Sequence, residues 1–173
     1  MERGFWSNMI GKVDEGDYVF IQFGHLDNHI NDPELYTQPD SGYKYFLTLM
    51  INDVRDAGAI PVLVTPPVTR AFLQNGEFYD VLEDYANAMS DLASQENVAL
   101  VNLHEKSKEL VVSLGAENSK VLYMWLQPGE YAAYPNGDQD DTHFSFTGAI
   151  KMSDFVADEI ANSNLQLKDY LKD

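Results

Sequence analysis

Three short runs of aliphatic, β-branched and aromatic residues, spaced about forty residues apart with helix-period segments between them, limit this chain to few architectures. The runs are YVFIQF (18–23), IPVLVT (60–65) and VALVNL (98–103). Each is apolar on both alternating faces, the pattern of a strand covered on both sides. Between the first two, Tyr43, Phe46, Leu47, Met50, Ile51 and Val54 recur at helical spacing until Gly58 ends the segment. Between the last two, Val81, Leu82, Tyr85, Met89 and Leu92 do the same. Strand–helix–strand–helix alternation builds right-handed βαβ units, so the chain is expected to be α/β with a parallel sheet. Further helices are predicted over residues 3–13, 104–114 and 145–162, the last with Met152, Phe155, Val156 and Ile160 on one side. Residues 27–42 and 127–143 read as long polar loops, a length that in a compact α/β domain often marks function.

The 173 residues suit one domain, 1–173, with no repeat or linker. Acidic residues outnumber basic ones 28 to 11, and the resulting charge of −17 repels nucleic acid and anionic membrane. With no cysteine there is no disulfide, thiolate nucleophile or cysteine-bound metal. No run is long and apolar enough to span a bilayer, and residues 1–16 do not read as a signal peptide.

In open parallel sheets ligands bind beyond the carboxyl ends of the strands. The first run ends in GHLDNH and the second in TPPVTR, and the acidic stretch DQDDTHFSFTGA (138–149) is free to reach the same rim. In that stretch, Asp140 and His143 have the spacing that lets a carboxylate fix a ring tautomer and leave the other nitrogen as a general base. Spacing alone favours a plainer reading, in which Asp140, Asp141 and Ser145 open a helix. A third reading, an oxygen-rich metal site, needs Asp138, Asp140, Asp141 and His143 to join His25 or His29. Gly24 lets the backbone approach a ligand, while His25, Asp27, Asn28 and His29 offer donors and acceptors; the alternative is an ordinary strand-to-loop turn. Arg70 is either an anion binder or, as the plainer reading has it, a surface arginine. His104 suits capping or packing, and Tyr123, Trp125, Tyr131 and Tyr134 either stack on sugar or pack.

Taken together and in this order, GDYVFIQFGHLDN, GAIPVLVTPPVTR, VNLHEKS and DDTHFSFTGA resemble the SGNH (GDSL) hydrolases, nearest to the rhamnogalacturonan acetylesterase-like branch. The likeness extends from about residue 3 to about residue 160 and rests on the four blocks jointly. It implies a flavodoxin-like three-layer α/β/α sandwich around a parallel sheet. It also implies a serine nucleophile that removes acetyl esters from pectic or other oligosaccharides, with no metal or other cofactor, outside the cytoplasm (extracellular or periplasmic). It makes His143 the base and Asp140 its partner. Gly24, Asn28, His25, Asp27 and Arg70 become oxyanion or substrate contributors. The charge argues for a short or neutral oligosaccharide ester over a polyanionic one.

Departures from the family pattern stand out, among them the absence of the second block's glycine, expected just upstream of ERGFWSNMI. Leu26 occupies the place of the asparagine that should donate to the oxyanion, and Asn28 replaces it only with a rearranged loop. The Gly-Asp-Ser block that bears the nucleophile has no counterpart in the chain; Ser7 and Ser145 sit in a helix and at a helix start. A serine hydrolase without its serine loses on the order of 10⁶ in rate. The expectation is an N-terminally truncated domain, inactive as it stands, with YVFIQF as an exposed apolar edge. Either it is part of a longer hydrolase or another chain covers that edge, for instance in a homodimer. The alternative function is a non-catalytic carbohydrate-binding or assembly remnant of the same family.

Overall fold

A computed structural model describes residues 4–171. The chain divides into two compact units, one of residues up to Pro66 with Asp84–Val101, the other of Pro67–Glu83 with Asn102 onward.

The first unit carries the three predicted strands, trimmed at their ends: β1 (Tyr18–Ile21), β2 (Ile60–Val64) and β3 (Ala99–Val101). They form a parallel sheet in the order β1-β2-β3, with Tyr18 opposite Ile60 and Leu63 opposite Leu100. Val62 and Leu63, on opposite faces of the middle strand, are both fully buried, which is why its sequence is a continuous apolar run. Helix α1 (Phe5–Ile10) precedes the sheet. A π turn at Pro39–Tyr43 leads into α2 (Lys44–Asp56), whose buried residues Leu47, Ile51 and Val54 follow the predicted stripe. Phe46, assigned to that stripe, is instead 43% exposed. Helix α3 (Glu83–Glu96) buries Tyr85, Met89 and Leu92 and starts later than its periodicity suggests. Its start is set by Asp80, whose carboxylate accepts the amide of Leu82 at 3.2 Å and stabilises a turn ahead of the helix. Among the described residues β1 pairs with β2 alone, and Phe20 and Phe23 are 40% and 46% exposed.

The second unit holds α4 (Leu103–Asn118), β4 (Tyr123–Leu126), β5 (Asp138–Phe144) and α5 (Phe146–Ala161) around a core of Val68, Val111, Leu122 and Tyr123. Helix α4 is broken at Gly115, whose φ 70° and ψ 178° are not helical, so its first segment stops at the predicted end and a short second segment follows the kink. The larger difference is in residues 127–143. Rather than one long loop, they end in β5, antiparallel to β4. The segment DQDDTHF has almost no strand propensity of its own; pairing with YMWL imposes the extended backbone. Ser145 caps α5 as expected, its Oγ accepting the Gly148 amide at 3.1 Å and donating to the Val121 carbonyl at 2.6 Å. No helix among the described residues is long and apolar enough to cross a membrane.

Candidate active site

Asp140 and His143 lie in a bulge of the β4–β5 ladder. Between the pairs Trp125–Gln139 and Tyr123–Phe144, β4 advances two residues while β5 advances five. The surplus is taken up by a tight turn that Asp140 organises itself. Its Oδ1 accepts the amides of Thr142 at 2.7 Å and His143 at 2.9 Å, and its Oδ2 faces Nδ1 of His143 at 2.5 Å. Partial burial raises the Asp140 carboxyl, but the two amides and the imidazole outweigh that effect and hold it below the ordinary aspartate range. It is therefore an ionised, acceptor-only group at neutral pH, and Nδ1 must be the donor. That leaves the Nε2 lone pair available on a ring whose side chain is 79% exposed. Of the residues the plainer reading assigned to the helix start, only Ser145 caps α5; Asp140 and Asp141 lie in β5, and Asp140 contacts the histidine.

Arg70 is not a surface residue. Its side chain is 10% exposed, with Nε donating to Oδ1 of Asp141 at 2.6 Å and Nη1 to the Ala116 carbonyl at 2.7 Å. Its backbone amide also donates to the Asp141 carbonyl at 2.8 Å. The guanidinium carbon lies 4.8 Å from the centre of the Trp125 ring, and Lys120 Nζ lies 4.2 Å from it. The indole Nε1 donates to the same Asp141 oxygen at 2.7 Å. Of the aromatics near the acidic stretch, Tyr123 is core, its hydroxyl donating to Val68 O at 2.6 Å, whereas Tyr131 and Tyr134 are 52% and 37% exposed. Asp141 and Trp125 were not indicated as partners by the sequence, because only the bulge brings positions 70, 125 and 141 together.

In the first unit, Gly24 sits at the end of the β1 segment with φ 133°, and a Cβ there would lie 3.0 Å from Pro66 Cγ. A side chain at this position would be both strained and crowded, so glycine is required. The following loop is tied down by two tyrosines. Tyr43 donates to the Phe23 carbonyl at 2.9 Å, and the Tyr85 hydroxyl lies 2.6 Å from Asp27 O and 2.8 Å from Thr37 O. Burial, helped by Tyr36, Asp27 and Asp84, pushes the Tyr85 phenol up to about 12, so it remains a donor throughout the working range. The Asp27 carboxylate accepts from Thr37 Oγ1 at 2.6 Å. His25 and Asn28 are half-buried, His29 is exposed, and Leu26 is 59% exposed.

His104 is buried, as its packing role requires, and it has an acidic partner that its sequence position does not suggest. Its Nε2 lies 2.9 Å from Asp80 Oδ2, which Lys108 Nζ also approaches at 3.0 Å. Burial raises the Asp80 carboxyl, yet the hydrogen bonds from His104 and Lys108 hold it below the ordinary range. Asp138, Asp140, Asp141 and His143 do not converge as metal ligands. Among the described residues no three His, Asp or Glu side chains are so grouped.

No protein-family model matches the chain. It is 39% identical over 171 residues to rhamnogalacturonan acetylesterase RhgT of Bacillus subtilis (strain 168), an alignment covering 99% of this chain and 72% of that protein. The chain belongs to the rhamnogalacturonan acetylesterase family of SGNH hydrolases. A second family member, the probable rhamnogalacturonan acetylesterase YesY of the same bacterium, is 35% identical over 167 residues, covering 96% of this chain and 72% of its own. The fold is shared more widely. The YxiM protein of Bacillus subtilis superposes with a TM-score of 0.74 at 23% identity, and this chain spans 96% of its own length but 44% of that one. Axe2, an acetylxylan esterase from Geobacillus stearothermophilus, gives a TM-score of 0.64 at 14% identity over 94% of this chain and 66% of that one. These likenesses bear out the α/β fold with a parallel sheet and the family resemblance carried by the four sequence blocks.

Proposed function

We propose that this chain provides the base half of a carbohydrate O-acetylesterase acting on acetylated rhamnogalacturonan or a related pectic oligosaccharide. The observation that carries the reading is the Asp140–His143 pair, with Oδ2 2.5 Å from Nδ1 and the carboxylate already anchored by two amides. The relatives' names supply the substrate class. In this reading His143 Nε2 takes the proton of a serine hydroxyl as it attacks the acetyl carbonyl. The imidazolium, steadied by Asp140, then returns that proton to the departing sugar oxygen. Water, activated by the same nitrogen, frees acetate from the serine. The serine belongs to a Gly-Asp-Ser block that these 173 residues do not contain. The charge of −17 favours a short or neutral ester over a polyanionic polymer. A cell-wall substrate of this kind places the enzyme outside the cytoplasm.

A second reading is favoured by Leu26, which stands where the family has an asparagine and whose side chain cannot donate to an oxyanion. It makes the chain a carbohydrate-binding or assembly remnant. Acetate release from acetylated rhamnogalacturonan oligosaccharides by the chain joined to a serine-bearing segment separates the two. Turnover supports the esterase; retained binding of the oligosaccharide without turnover supports the remnant.

We also propose a partner strand for β1. Its outer edge has no strand partner among the described residues, and the exposed Phe20 and Phe23 suit association with a second copy.

A further inference from the structure

We infer that Arg70, working with Trp125 through Asp141, is a positioning residue for the Asp140–His143 pair. This rests on the reading of that pair as the esterase base. Residues that leave a ladder lose the hydrogen bonds that fix a strand, and a bulged segment needs other contacts to hold one shape. Asp140 supplies the contacts inside the turn. Nothing inside it fixes the turn against the rest of the unit. Asp141 does so, and every anchor on it comes from outside β5.

The Asp141 main chain is held by the Arg70 amide at 2.8 Å, and its side chain by Arg70 Nε at 2.6 Å and Trp125 Nε1 at 2.7 Å. Arg70 is in turn fixed by the Ala116 carbonyl at 2.7 Å and by the Trp125 ring beneath its guanidinium. A backbone clamp and a side-chain clamp on one residue remove its freedom to rotate. The next residue toward the N-terminus is Asp140, so the direction of its carboxylate is set by the plane Arg70 imposes on Asp141. A Lys at position 70 has a single nitrogen and no planar fork, and cannot serve Asp141 and Ala116 while stacking on the indole.

A merely structural Arg70 would affect folding and leave the histidine tautomer alone. The test is therefore ¹⁵N NMR of the imidazole in the chain as it stands, which reports which ring nitrogen carries the proton. Wild type is expected to show His143 protonated at Nδ1. Arg70→Met and Trp125→Phe, with thermal unfolding confirming that they are folded, are expected to reduce the ratio of the Nδ1–H to the Nε2–H form. The drop should be about tenfold, the effect of losing one hydrogen bond to a charged group. Arg70→Lys should fall between them and wild type. If Arg70→Met fails to fold, Trp125→Phe, which keeps an aromatic ring but removes the Nε1 donor, decides the matter. Wild-type tautomer ratios in the folded variants overturn the inference, provided the control Asp140→Asn does change the ratio. If Asp140→Asn leaves the ratio unchanged, the base pair itself is refuted and Arg70 has nothing to position.

Discussion

Asp140 holds His143 at two points, taking its backbone amide on Oδ1 at 2.9 Å and its ring Nδ1 on Oδ2 at 2.5 Å. One carboxylate thus fixes both where the histidine backbone sits and which way its ring proton points. An amide side chain at this position cannot do both, because its nitrogen would face Nδ1 as a donor. Asp140→Asn in the serine-complemented esterase is expected to lower kcat by on the order of 10⁴ with little change in KM, the mark of a wrong tautomer. Steady-state kinetics on an acetyl ester measures it.

The Asp80–His104–Lys108 cluster predicts a stability effect that depends on pH. Asp80 and His104 are both nearly buried, at 9% and 5% side-chain exposure, and removing one partner of a buried pair leaves the other uncompensated. Asp80→Asn is expected to cost about 3 kcal/mol near neutral pH. Because the Asp80 carboxyl is depressed in the folded state, its stabilisation is present above the unfolded value of about 3.9 and is lost as pH falls below it. The raised Lys108 ammonium acts oppositely, its share persisting until strongly alkaline pH. Thermal unfolding of wild type and variant across pH 2–8 should show the gap in Tm closing only on the acid side.

Gly148 packs its Cα against the Leu122 backbone, and a Cβ built there would lie 1.9 Å from the Leu122 carbonyl oxygen. That atom is backbone and cannot swing away. Gly148→Ala is expected to destabilise the fold by about 3 kcal/mol, the upper part of the usual overpacking range, as read by urea unfolding.

The βαβ part of the fold was legible because it is written in periods. Val62 and Leu63 lie buried on opposite faces of a central strand, and Leu47, Ile51 and Val54 line one helix face, so pattern and burial coincide. The β4–β5 hairpin was not legible, since residues 138–144 carry three aspartates and gain their extended backbone from their partner strand. The Asp140–His143 contact could be read because both residues lie within one turn. The Arg70–Asp141 clamp could not, since its partners are 71 residues apart and neither carries a local signal. For the same reason Arg70 looked like a surface residue: an arginine is buried only when its partners are, and sequence does not show them.

The edge of β1 predicts association. Phe20, 40% exposed on a strand with no outer partner among the described residues, is an apolar contact on an open edge. Phe20→Lys is expected to lower self-association at micromolar concentration without altering the far-ultraviolet spectrum. Light scattering coupled to size exclusion reads the change, and an unchanged mass distribution would mean that another surface mediates any association.

In the proposed function His143 is the base of an acetylesterase. The direct measurement is acetate released from an acetylated rhamnogalacturonan oligosaccharide by the serine-complemented protein, with His143 intact and as His143→Ala. The variant is expected to lose on the order of 10⁶ in kcat, comparable to losing the serine itself. Equal rates in the two proteins would contradict it.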